Sequence, residues 1–420
     1  MKRYDSYKDS GVKWIGEIPS HWEVCRVKHR YSIVTGFTPD TKRLDFYDES
    51  NGETWVTIAD ISGKFIDDSS KYISEKYIKE FSPQKVVKGS LLYSFKLSVG
   101  QVAFASKDLY TNEAIASFLD TNTVCLPFMY YAAPLFIIEN ANTNIYGAKI
   151  LNQDLINNAF TVFPPLEEQK AIAKWLDVKC GEIDKLIATQ QRRIDLLQEL
   201  RQSIITRAVT QGINPDAPLR DSGIDWIGQI PTHWDSCRLK FILHLLNGRA
   251  YAQNELLEEG KYKVLRVGNF FTNSQWYYSD LELEPDKYCH KGDLLYAWSA
   301  SFGPYIWDED NTIYHYHIWK VLLSEQYEKK YAYYVLDAIS NFKRGDVHGS
   351  TMTHITMDSM NNSVIPLPPL DEQREIVVHI ERETAKVDHA LQQAERQIEL
   401  LQELRKSVIT EVVTGKRKVC

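Results

Sequence analysis

The sequence predicts an α+β protein in which two mixed α/β domains alternate with two long helices. The helices are expected to pair as an antiparallel coiled coil, and a pseudo-two-fold internal repeat relates the halves. One observation is that the block Ser10–Trp22 recurs as Ser222–Trp234, offset by 212 residues. The other is that the block beginning Pro164-Pro165-Leu166 recurs from Pro368, offset by 204 residues, and matches for more than 40 residues.

The segments between these repeated blocks have diverged and share only short landmarks. Gly89-Ser-Leu-Leu-Tyr-Ser-Phe resembles Gly292-Asp-Leu-Leu-Tyr-Ala-Trp, and Trp55–Ile61 resembles Val264–Phe270. Two copies that keep one geometry but recognise different targets are expected to repeat the scaffold and to diverge in the segments between the repeated blocks. The predicted divisions are domain 1 (1–163), helix 1 (164–213), domain 2 (214–367) and helix 2 (368–420).

Each helical block opens with two prolines, which end the preceding strand or loop and favour a helix start. Glu167 and Glu168, and their copies Asp371 and Glu372, would lie in the first turn, where carboxylates favour the helix dipole. A helix of about 45 residues would be roughly 65 Å long. Because the second start block follows directly on the first helix, the chain's own start should lie beside the end of the second helix near Thr414.

Apolar residues recur along both helices at coiled-coil spacing, and Leu186, Leu196 and Leu200 are expected to widen the stripe. The alternative is that each helix packs on its own domain. The predicted pairing residues are Ile183, Ile187, Ile194, Leu197 and Ile204 in the first helix and Val387, Leu391, Ile398, Leu401 and Val408 in the second.

The diverged segments look like mixed α/β domains whose short strands are broken by Gly, Asn, Asp and Ser turns. His315 and His317 alternate with tyrosines and are interpreted as strand residues, because no carboxylate or cysteine lies at metal-ligand spacing. The expected strands are Trp55–Ile61, Ser90–Phe95, Val264–Phe270, Leu294–Trp298 and Tyr316–Leu323.

Composition and motifs argue against several classes of protein. Six scattered cysteines without C-x-x-C spacing predict neither a zinc site nor a disulfide framework, and they fit a reduced cytoplasm. The polar start and the lack of long apolar runs predict neither a signal peptide nor a membrane span. Phosphate-binding and dinucleotide-binding glycine motifs are missing. Phe163-Pro164-Pro165-Leu166 lacks the acceptor side chain of an amino-methyltransferase loop, so no catalytic or metal-binding residue is predicted.

The start block, Gly11-x-x-Trp14-Ile15-Gly16-x-Ile18-Pro19-x-His21-Trp22, resembles the opening of each target-recognition domain in type I restriction-modification specificity subunits. Gly36-Phe37-Thr38-Pro39 is similar to that family's Gly-x-Thr-Pro turn, and Gly349–Ile355 is also typical. The first domain departs at Tyr146–Ile150, which lacks the Ser-Thr and the His. Pro-Pro-Leu-x-Glu-Gln at both helix starts completes a resemblance that covers essentially the whole chain.

The resemblance implies a non-catalytic chain in which each domain recognises one half of an asymmetric, two-part double-stranded DNA target. The helices would set the spacing and dock two modification (methyltransferase) subunits, and restriction (translocase and nuclease) subunits would join that core. S-adenosylmethionine, ATP and Mg²⁺ are expected on those partners and not on this chain. The net charge of −7 and the absence of a basic segment fit a DNA-binding role shared with partners.

Candidate DNA contacts are polar loop residues that can donate to phosphates or base edges. In the first domain they are Lys42, Arg43, Lys96, Ser98, Gln101, Asn112 and Lys149. In the second domain they are Arg249, Arg266, Asn269, Ser299, Ser301, Arg344, His348, Ser350, Thr351 and His354.

Two alternatives stay open at this point. One is a structural coiled-coil scaffold with two protein-binding heads, which would show no DNA sequence preference even with the methyltransferase partner. The other is part of a fused DNA methyltransferase or nuclease, for which the sequence offers neither a methyl-donor loop nor a metal-binding carboxylate cluster.

Overall fold

The computed structural model describes residues 3–96, 98–119, 124–143, 147, 149–270, 273–299, 302–345 and 354–419. The chain forms two compact units. Unit 1 comprises Met1–Thr189 and Gln397–Cys420, and unit 2 comprises Gln190–Arg396. Each unit therefore contains one diverged domain together with one segment from each long helix.

The described part of unit 1 is a mixed α/β structure. Its strands are β1 (Tyr7–Asp9), β2 (Glu17–Pro19), β3 (Glu23–Arg26), β4 (Ser32–Thr35), β5 (Glu53–Val56), β6 (Phe65–Ile66), β7 (Tyr72–Ile73), β8 (Leu91–Ser94), β9 (Val102–Ala105), β10 (Tyr110–Thr111), β11 (Ile115–Leu119), β12 (Asn142–Thr143), β13 (Lys149–Ile150) and β14 (Phe160–Phe163). Its short helices are α1 (Glu75–Phe81), α2 (Leu126–Phe136) and α3 (Gln153–Asn158), and the long helix α4 (Leu166–Gln211) begins here.

A five-stranded sheet, in the order β4-β11-β8-β9-β6, forms the centre of the first domain. The β6–β9 pair is parallel, and the other neighbours are antiparallel. A smaller sheet has the order β10-β5-β7, in which β10 and β5 run parallel. The main core packs Trp22, Phe118 and Phe128 with Ile172 of α4, so the first turns of this helix do pack on their own domain.

Unit 2 repeats this plan with its own strands. They are β15 (Leu219–Asp221), β16 (Gln229–Pro231), β17 (Asp235–Arg238), β18 (Leu243–Asn247), β19 (Tyr262–Leu265), β20 (Tyr277–Ser279), β21 (Tyr288–Cys289), β22 (Leu294–Ala297), β23 (Gly303–Ile306), β24 (Thr312–Tyr314), β25 (Ile318–Leu323) and β26 (Val364–Leu367). Its helices are α5 (Lys329–Gly345), α6 (Met357–Asn361) and the long α7 (Leu370–Val413), whose end lies in unit 1. The two larger sheets have the orders β18-β25-β22-β23 and β20-β19-β24-β21.

All five predicted strands are shorter than expected, and two of them end early for the same reason. In the first domain the strand ends at Val56, and Ile58–Asp60 forms a 3-10 turn in which the Asp60 carboxylate accepts from the Thr57 amide at 2.8 Å. In the second domain the strand ends at Leu265, and Asn269 accepts from the Arg266 amide at 3.0 Å. In both domains the backbone amide at the strand end donates to a side chain three residues further along, and this cap turns the chain out of the sheet.

The predicted helix starts are confirmed, and the glutamine of each start motif has a defined role. Gln169 Nε2 donates to the Pro164 carbonyl at 2.7 Å, and Gln373 Nε2 donates to the Pro368 carbonyl at 2.9 Å. Both glutamines are buried. A buried amide thus satisfies the proline carbonyl that precedes each helix, which explains why Pro-Pro-Leu-x-Glu-Gln occurs as a unit.

Antiparallel pairing of the long helices is confirmed within each unit taken by itself. In unit 1, Arg405 Nε donates to Asp184 Oδ1 at 2.8 Å. In unit 2, Arg201 Nε donates to Asp388 Oδ1 at 2.9 Å. Under the 204-residue repeat these are the same pair formed twice. A second contact gives the direction inside each unit: Arg417 lies 5.0 Å over the Trp175 ring in unit 1, and Ala208 and Val209 share a core with Ile376 and Ile380 in unit 2. In each unit the α4 residue number falls as the number of its partner rises, or the reverse, as antiparallel pairing requires.

All ten predicted pairing residues are at least half-buried. Ile183, Ile194, Val387 and Val408 are buried, and Ile187, Leu197, Ile204, Leu391, Ile398 and Leu401 are half-buried.

The expected widening of the stripe is wrong, because Leu186, Leu196 and Leu200 are 52%, 48% and 48% exposed. Leu186 and Leu196 each lie one position before a stripe residue, and Leu200 lies one position before Arg201, which bonds to α7. One helix position is a rotation of about 100°, which turns these leucines away from the helix pair.

The expectation that the chain's start lies beside the end of the second helix is also confirmed. Tyr7 Oη donates to the Gly415 carbonyl at 3.1 Å, and the Lys418 amine lies 5.7 Å from the Tyr4 ring centre. All four residues belong to unit 1.

Candidate nucleic-acid interface

Polar loops converge at one end of the main sheet in unit 1. Antiparallel pairing places Thr35, the last residue of β4, opposite Ala116, and Ser94, the last residue of β8, opposite Ile115. The loops that begin at residues 36, 95 and 112 therefore meet the sheet at the same end. Loops at the ends of a rigid sheet are the usual place for recognition residues.

The same end of the main sheet in unit 2 is built in the same way. Asn247, the last residue of β18, pairs with Trp319, and Ala297, the last residue of β22, pairs with Ile318. The loops that leave the sheet here begin at residues 248, 298 and 315. The two domains thus present equivalent loop clusters on equivalent strand ends.

A glycine is required at the same place in both clusters. Gly36 in unit 1 lies against the backbone of Thr111 and Asn112, and Gly248 in unit 2 lies against the backbone of Tyr314 and His315. A Cβ on either glycine would overlap a carbonyl oxygen, so a larger residue would push the two loops apart. This explains the glycine of the Gly36-Phe37-Thr38-Pro39 turn.

The cluster in unit 1 is polar and carries a carboxylate. Glu113 lies 3.8 Å from the Lys96 amine and accepts a hydrogen bond from Thr38, while its side chain is 48% exposed. Asn112 accepts from the Ala114 amide at 3.2 Å. This surface therefore combines a hydrogen-bond acceptor with a cation.

The cluster in unit 2 is aromatic and imidazole-rich. The rings of His315, Tyr316 and His317 lie within 4.0–4.8 Å of one another, and the Trp298 ring lies 4.9 Å from His317. Burial, aided by His317 and Arg266, lowers the pKa of His315 to about 4, and burial also lowers the pKa of His317. Both imidazoles are therefore neutral at pH 7.

The predicted strand Tyr316–Leu323 begins two residues late, at Ile318, so the interpretation of both histidines as strand residues is wrong. His315 makes a single bridge to Arg249, and Tyr316 and His317 form a turn. The chain turns there because Ile318 N donates back to the His315 carbonyl at 2.9 Å.

The structure brings four of the seven predicted contacts of the first domain together at the sheet end: Lys96, Ser98, Gln101 and Asn112. Arg43 lies apart, bound through two nitrogens to Asp45 at 2.9 and 2.8 Å, and Lys42 follows the Asp40 turn beside it. Lys149 lies on β13, 3.2 Å from Glu139.

In the second domain Arg249, Ser299 and His354 lie at the sheet end. Ser299 forms a bridge with His354, and the Arg249 guanidinium binds both Glu255 oxygens at 2.7 and 3.1 Å. The positive charge of Arg266 contributes to the lowered pKa of both imidazoles. Ser301, His348, Ser350 and Thr351 lie outside the described residues.

Two other predicted contacts of the second domain are engaged within their own loops. Asn269 Nδ2 donates to the carbonyls of Asn273 and Gln275 at 3.2 and 3.0 Å, so its amide holds the loop. Arg344 donates to the Phe302 carbonyl and lies 4.7 Å over the Phe302 ring. A base contact by either side chain would require these bonds to be exchanged.

Sequence reasoning missed Glu113, Trp298, Tyr316 and His317 as residues of the two loop clusters. The sequence carried one signal that could have found them. When the short landmarks of the two domains are aligned, residues 111–115 correspond to residues 314–318, and each segment joins one strand to a strand of the main sheet. The predicted set of contacts consists of cationic, amide, hydroxyl and imidazole side chains, and it contains neither carboxylates nor Tyr or Trp rings.

The described residues show neither a metal centre nor a membrane helix. Among them, no three or more His, Cys, Asp or Glu side chains are placed to hold a metal ion. In the part of the chain that the structure covers, no helix is both long and apolar enough to cross a membrane.

Comparisons with known proteins agree with the repeat. The family model described as the type I restriction modification DNA specificity domain matches residues 19–198 and 231–400. The MjaVIII specificity subunit of Methanocaldococcus jannaschii is 22% identical, with 98% of this chain and 97% of the relative aligned. The EcoBI specificity subunit of Escherichia coli is 33% identical over 84 residues, which is 20% of this chain and 18% of the relative.

A solved chain, from a structural study of complex assembly and conformational transition of the type I R-M system, shares the fold. Its TM-score is 0.69 at 15% identity, with 94% of this chain and 98% of that chain covered. The chain therefore belongs to the family of type I restriction-modification DNA specificity subunits, the non-catalytic DNA-recognition chains of these enzymes.

Proposed function

We propose that each recognition domain contacts one half of an asymmetric, two-part duplex target, and that the paired helices set the spacing between the halves. The observation that carries this proposal is the equivalent loop cluster at the sheet end of both units. Asn112-Glu113-Ala114 occupies one cluster where His315-Tyr316-His317 occupies the other. Because the supporting strands repeat and the presented groups differ, the two half-sites should differ in sequence.

The charge distribution favours DNA binding that is shared with partner subunits. The chain has a net charge of −7, and several exposed cations already pair with carboxylates, including Lys96 with Glu113 and Arg43 with Asp45. Phosphate contacts supply most of the affinity and salt dependence of DNA binding. The chain alone should therefore bind DNA weakly, and partners should raise the affinity.

Two modification subunits are the proposed partners of the paired helices. Leu400 and Leu404 in unit 1 are 48% and 50% exposed, and their repeat equivalents Leu196 and Leu200 in unit 2 are each 48% exposed. Exposed leucines side by side favour a protein contact. A surface that occurs twice fits two copies of one partner.

The leucine surfaces can be tested separately. Leu400→Glu with Leu404→Glu should remove one modification subunit from the complex, and Leu196→Glu with Leu200→Glu should remove the other. Native mass spectrometry of the co-expressed complex would show the loss of one subunit in each case. Retention of both subunits by both variants would contradict this docking surface.

The chemistry of the complex is proposed to belong to the partners. S-adenosylmethionine would bind the modification subunits, and ATP and Mg²⁺ would serve the restriction subunits. We propose a cytoplasmic location, where the DNA substrate lies. Support comes from the family membership of this chain as a specificity subunit.

Methylome sequencing tests the proposed function. A host that expresses the modification subunits should show one two-part methylated motif with this gene and none without it. A purified chain that methylates DNA by itself with S-adenosylmethionine would favour the fused enzyme. A complex that binds DNA without sequence preference would favour the scaffold.

A further inference from the structure

A three-residue turn occupies the same main-chain frame in both recognition domains. Phe37 N donates to the Thr111 carbonyl at 3.0 Å, and Arg249 N donates to the Tyr314 carbonyl at 3.1 Å. At the other end of the turn, Phe95 N donates to the Ala114 carbonyl at 2.9 Å, and Trp298 N donates to the His317 carbonyl at 3.1 Å.

Two further bonds complete the correspondence. Ile115 N donates to the Asn112 carbonyl at 3.2 Å, and Ile318 N donates to the His315 carbonyl at 2.9 Å. These six bonds join main-chain groups, and each turn adds one side-chain cap: Asn112 accepts from the Ala114 amide at 3.2 Å, and His315 Nδ1 accepts from the His317 amide at 3.5 Å. Both side-chain sets form the same frame, so exchanging one set for the other should leave it intact.

The side chains of the turn are presented in the same order in both domains. The middle residue is exposed in each case: Glu113 in the first turn and Tyr316 in the second. The residue before it, Asn112 or His315, is half-buried. The turn thus projects one side chain from the sheet end and supports it with its neighbours.

The chemistry of the two projecting side chains differs. The Glu113 carboxylate accepts hydrogen bonds, and the nearby Lys96 amine balances its charge. A carboxylate in the major groove accepts from the amino groups of cytosine or adenine and repels the carbonyl edges of guanine and thymine. Tyr316 instead offers a hydroxyl and an aromatic face, flanked by two imidazoles.

We infer that this turn determines one base position in each half-site, with Glu113 selecting a base that carries an exocyclic amino group and Tyr316 with His317 selecting a different base. This assignment rests on the proposed function and names the specificity-determining residues within it. Base recognition in the first half-site then falls to an acidic residue. The Thr38 hydroxyl, which donates to this carboxylate, and the Lys96 amine, 3.8 Å away, hold it in place.

The test is the target motif of the complete chain, co-expressed with its modification subunits and determined by methylome sequencing. Glu113→Gln should weaken discrimination at one position of one half-site by roughly 5- to 150-fold, since a good base contact discriminates by that much. Replacing residues 112–114 by His-Tyr-His should change the preferred base at that position. The other half-site should stay as in the wild type.

A matched control is Glu23→Gln. Glu23 is also an exposed carboxylate paired with a cation, Arg30 at 2.5 Å, but Arg30 precedes the opposite end of β4. This variant should keep the wild-type motif. Tyr316→Ala provides an independent test, because it should alter only the second half-site.

The outcomes separate the two claims. If the wild type selects no sequence, the proposed function fails and the inference fails with it. If the wild type selects a two-part motif and neither the Glu113 variants nor Tyr316→Ala change it, the proposed function stands and the inference is overturned. A change in the predicted half-site alone supports both.

Discussion

His21 Nε2 lies 2.8 Å from Glu168 Oε2, although 147 positions separate these residues in the chain. The repeat forms the same contact, because His233 Nε2 lies 2.9 Å from Glu372 Oε2. The start block of each domain is thus tied to the first turn of the helix that follows it. This explains why both blocks recur together while the sequence between them diverges.

Glu168 should matter more for this anchor than His21. Its carboxylate also accepts from Tyr4 Oη at 2.5 Å, and its side chain is 12% exposed, compared with 49% for His21. Glu168→Ala should therefore speed amide hydrogen exchange in the start block more than His21→Ala. Equal exchange in the two variants would show that the Tyr4 bond contributes nothing.

The two helix-start glutamines should differ in their contribution to stability. Gln373 makes three hydrogen bonds. Its Nε2 donates to the backbone carbonyls of Pro368 and Gln326, and its Oε1 accepts from the Glu328 amide. Gln169 donates to Pro164, while its Oε1 is buried without a partner among the described residues.

Gln373→Ala should therefore destabilise unit 2 by more than Gln169→Ala destabilises unit 1, each lost buried bond costing about 1–3 kcal/mol. Hydrogen exchange of peptides covering the two helix starts measures both losses in the same way. A larger effect at Gln169 would contradict the hydrogen bonding described here.

The repeated ion pairs give a direct test of helix pairing. Combining Arg405→Asp with Asp184→Arg reverses the pair and should restore most of the stability lost in either single variant. The coupling should be roughly 0.2–1 kcal/mol, because these side chains are partly exposed. The same exchange at Arg201 and Asp388 is the matched repeat. Additive effects in both double-mutant cycles, measured by denaturant unfolding, would contradict the antiparallel register.

The stability of unit 2 should depend on pH through His315. Burial lowers the pKa of this imidazole from 6.5 to about 4, and Tyr251, Tyr316, His317 and Arg266 surround it. Between pH 6.5 and pH 4 the unfolded chain binds a proton that the folded chain does not. Stability is therefore full above pH 6.5 and falls as the pH drops toward 4.

His315→Gln should reduce this acid loss, as measured by the denaturation midpoint of unit 2 across that pH range. Tyr316→Phe is the control, since this variant keeps the His315 imidazole and changes no group that titrates between pH 4 and pH 6.5. An unchanged pH slope in His315→Gln would exclude His315 as the source.

The scaffold was predictable because its determinants are local and occur twice. The Pro-Pro helix starts and the apolar spacing from Ile183 to Ile204 specify helices and their buried face, and the repeat indicates that the helices pair. The exposure of Leu186, Leu196 and Leu200 was not predictable, because one helix position decides which side of the pair a leucine occupies. Hydropathy alone does not give that angle.

The candidate interface was harder to predict because it depends on contacts between segments distant in sequence. The turn at Asn112–Ala114 becomes visible only when Gly36 packs on Thr111 and Phe95 bonds to Ala114. The lowered pKa of His315 likewise requires burial and neighbours from other loops. The sequence identified the loops, and the tertiary structure identified which side chains they project.

The most informative experiment on independent recognition by the two domains is an exchange of one of them. Residues 1–163 are replaced by the equivalent segment of a related specificity subunit with a known target, and the methylome is sequenced with the modification subunits present. Independent domains on a shared scaffold predict a motif in which one half changes and the other half and the spacing stay. A change in both halves would contradict independent recognition.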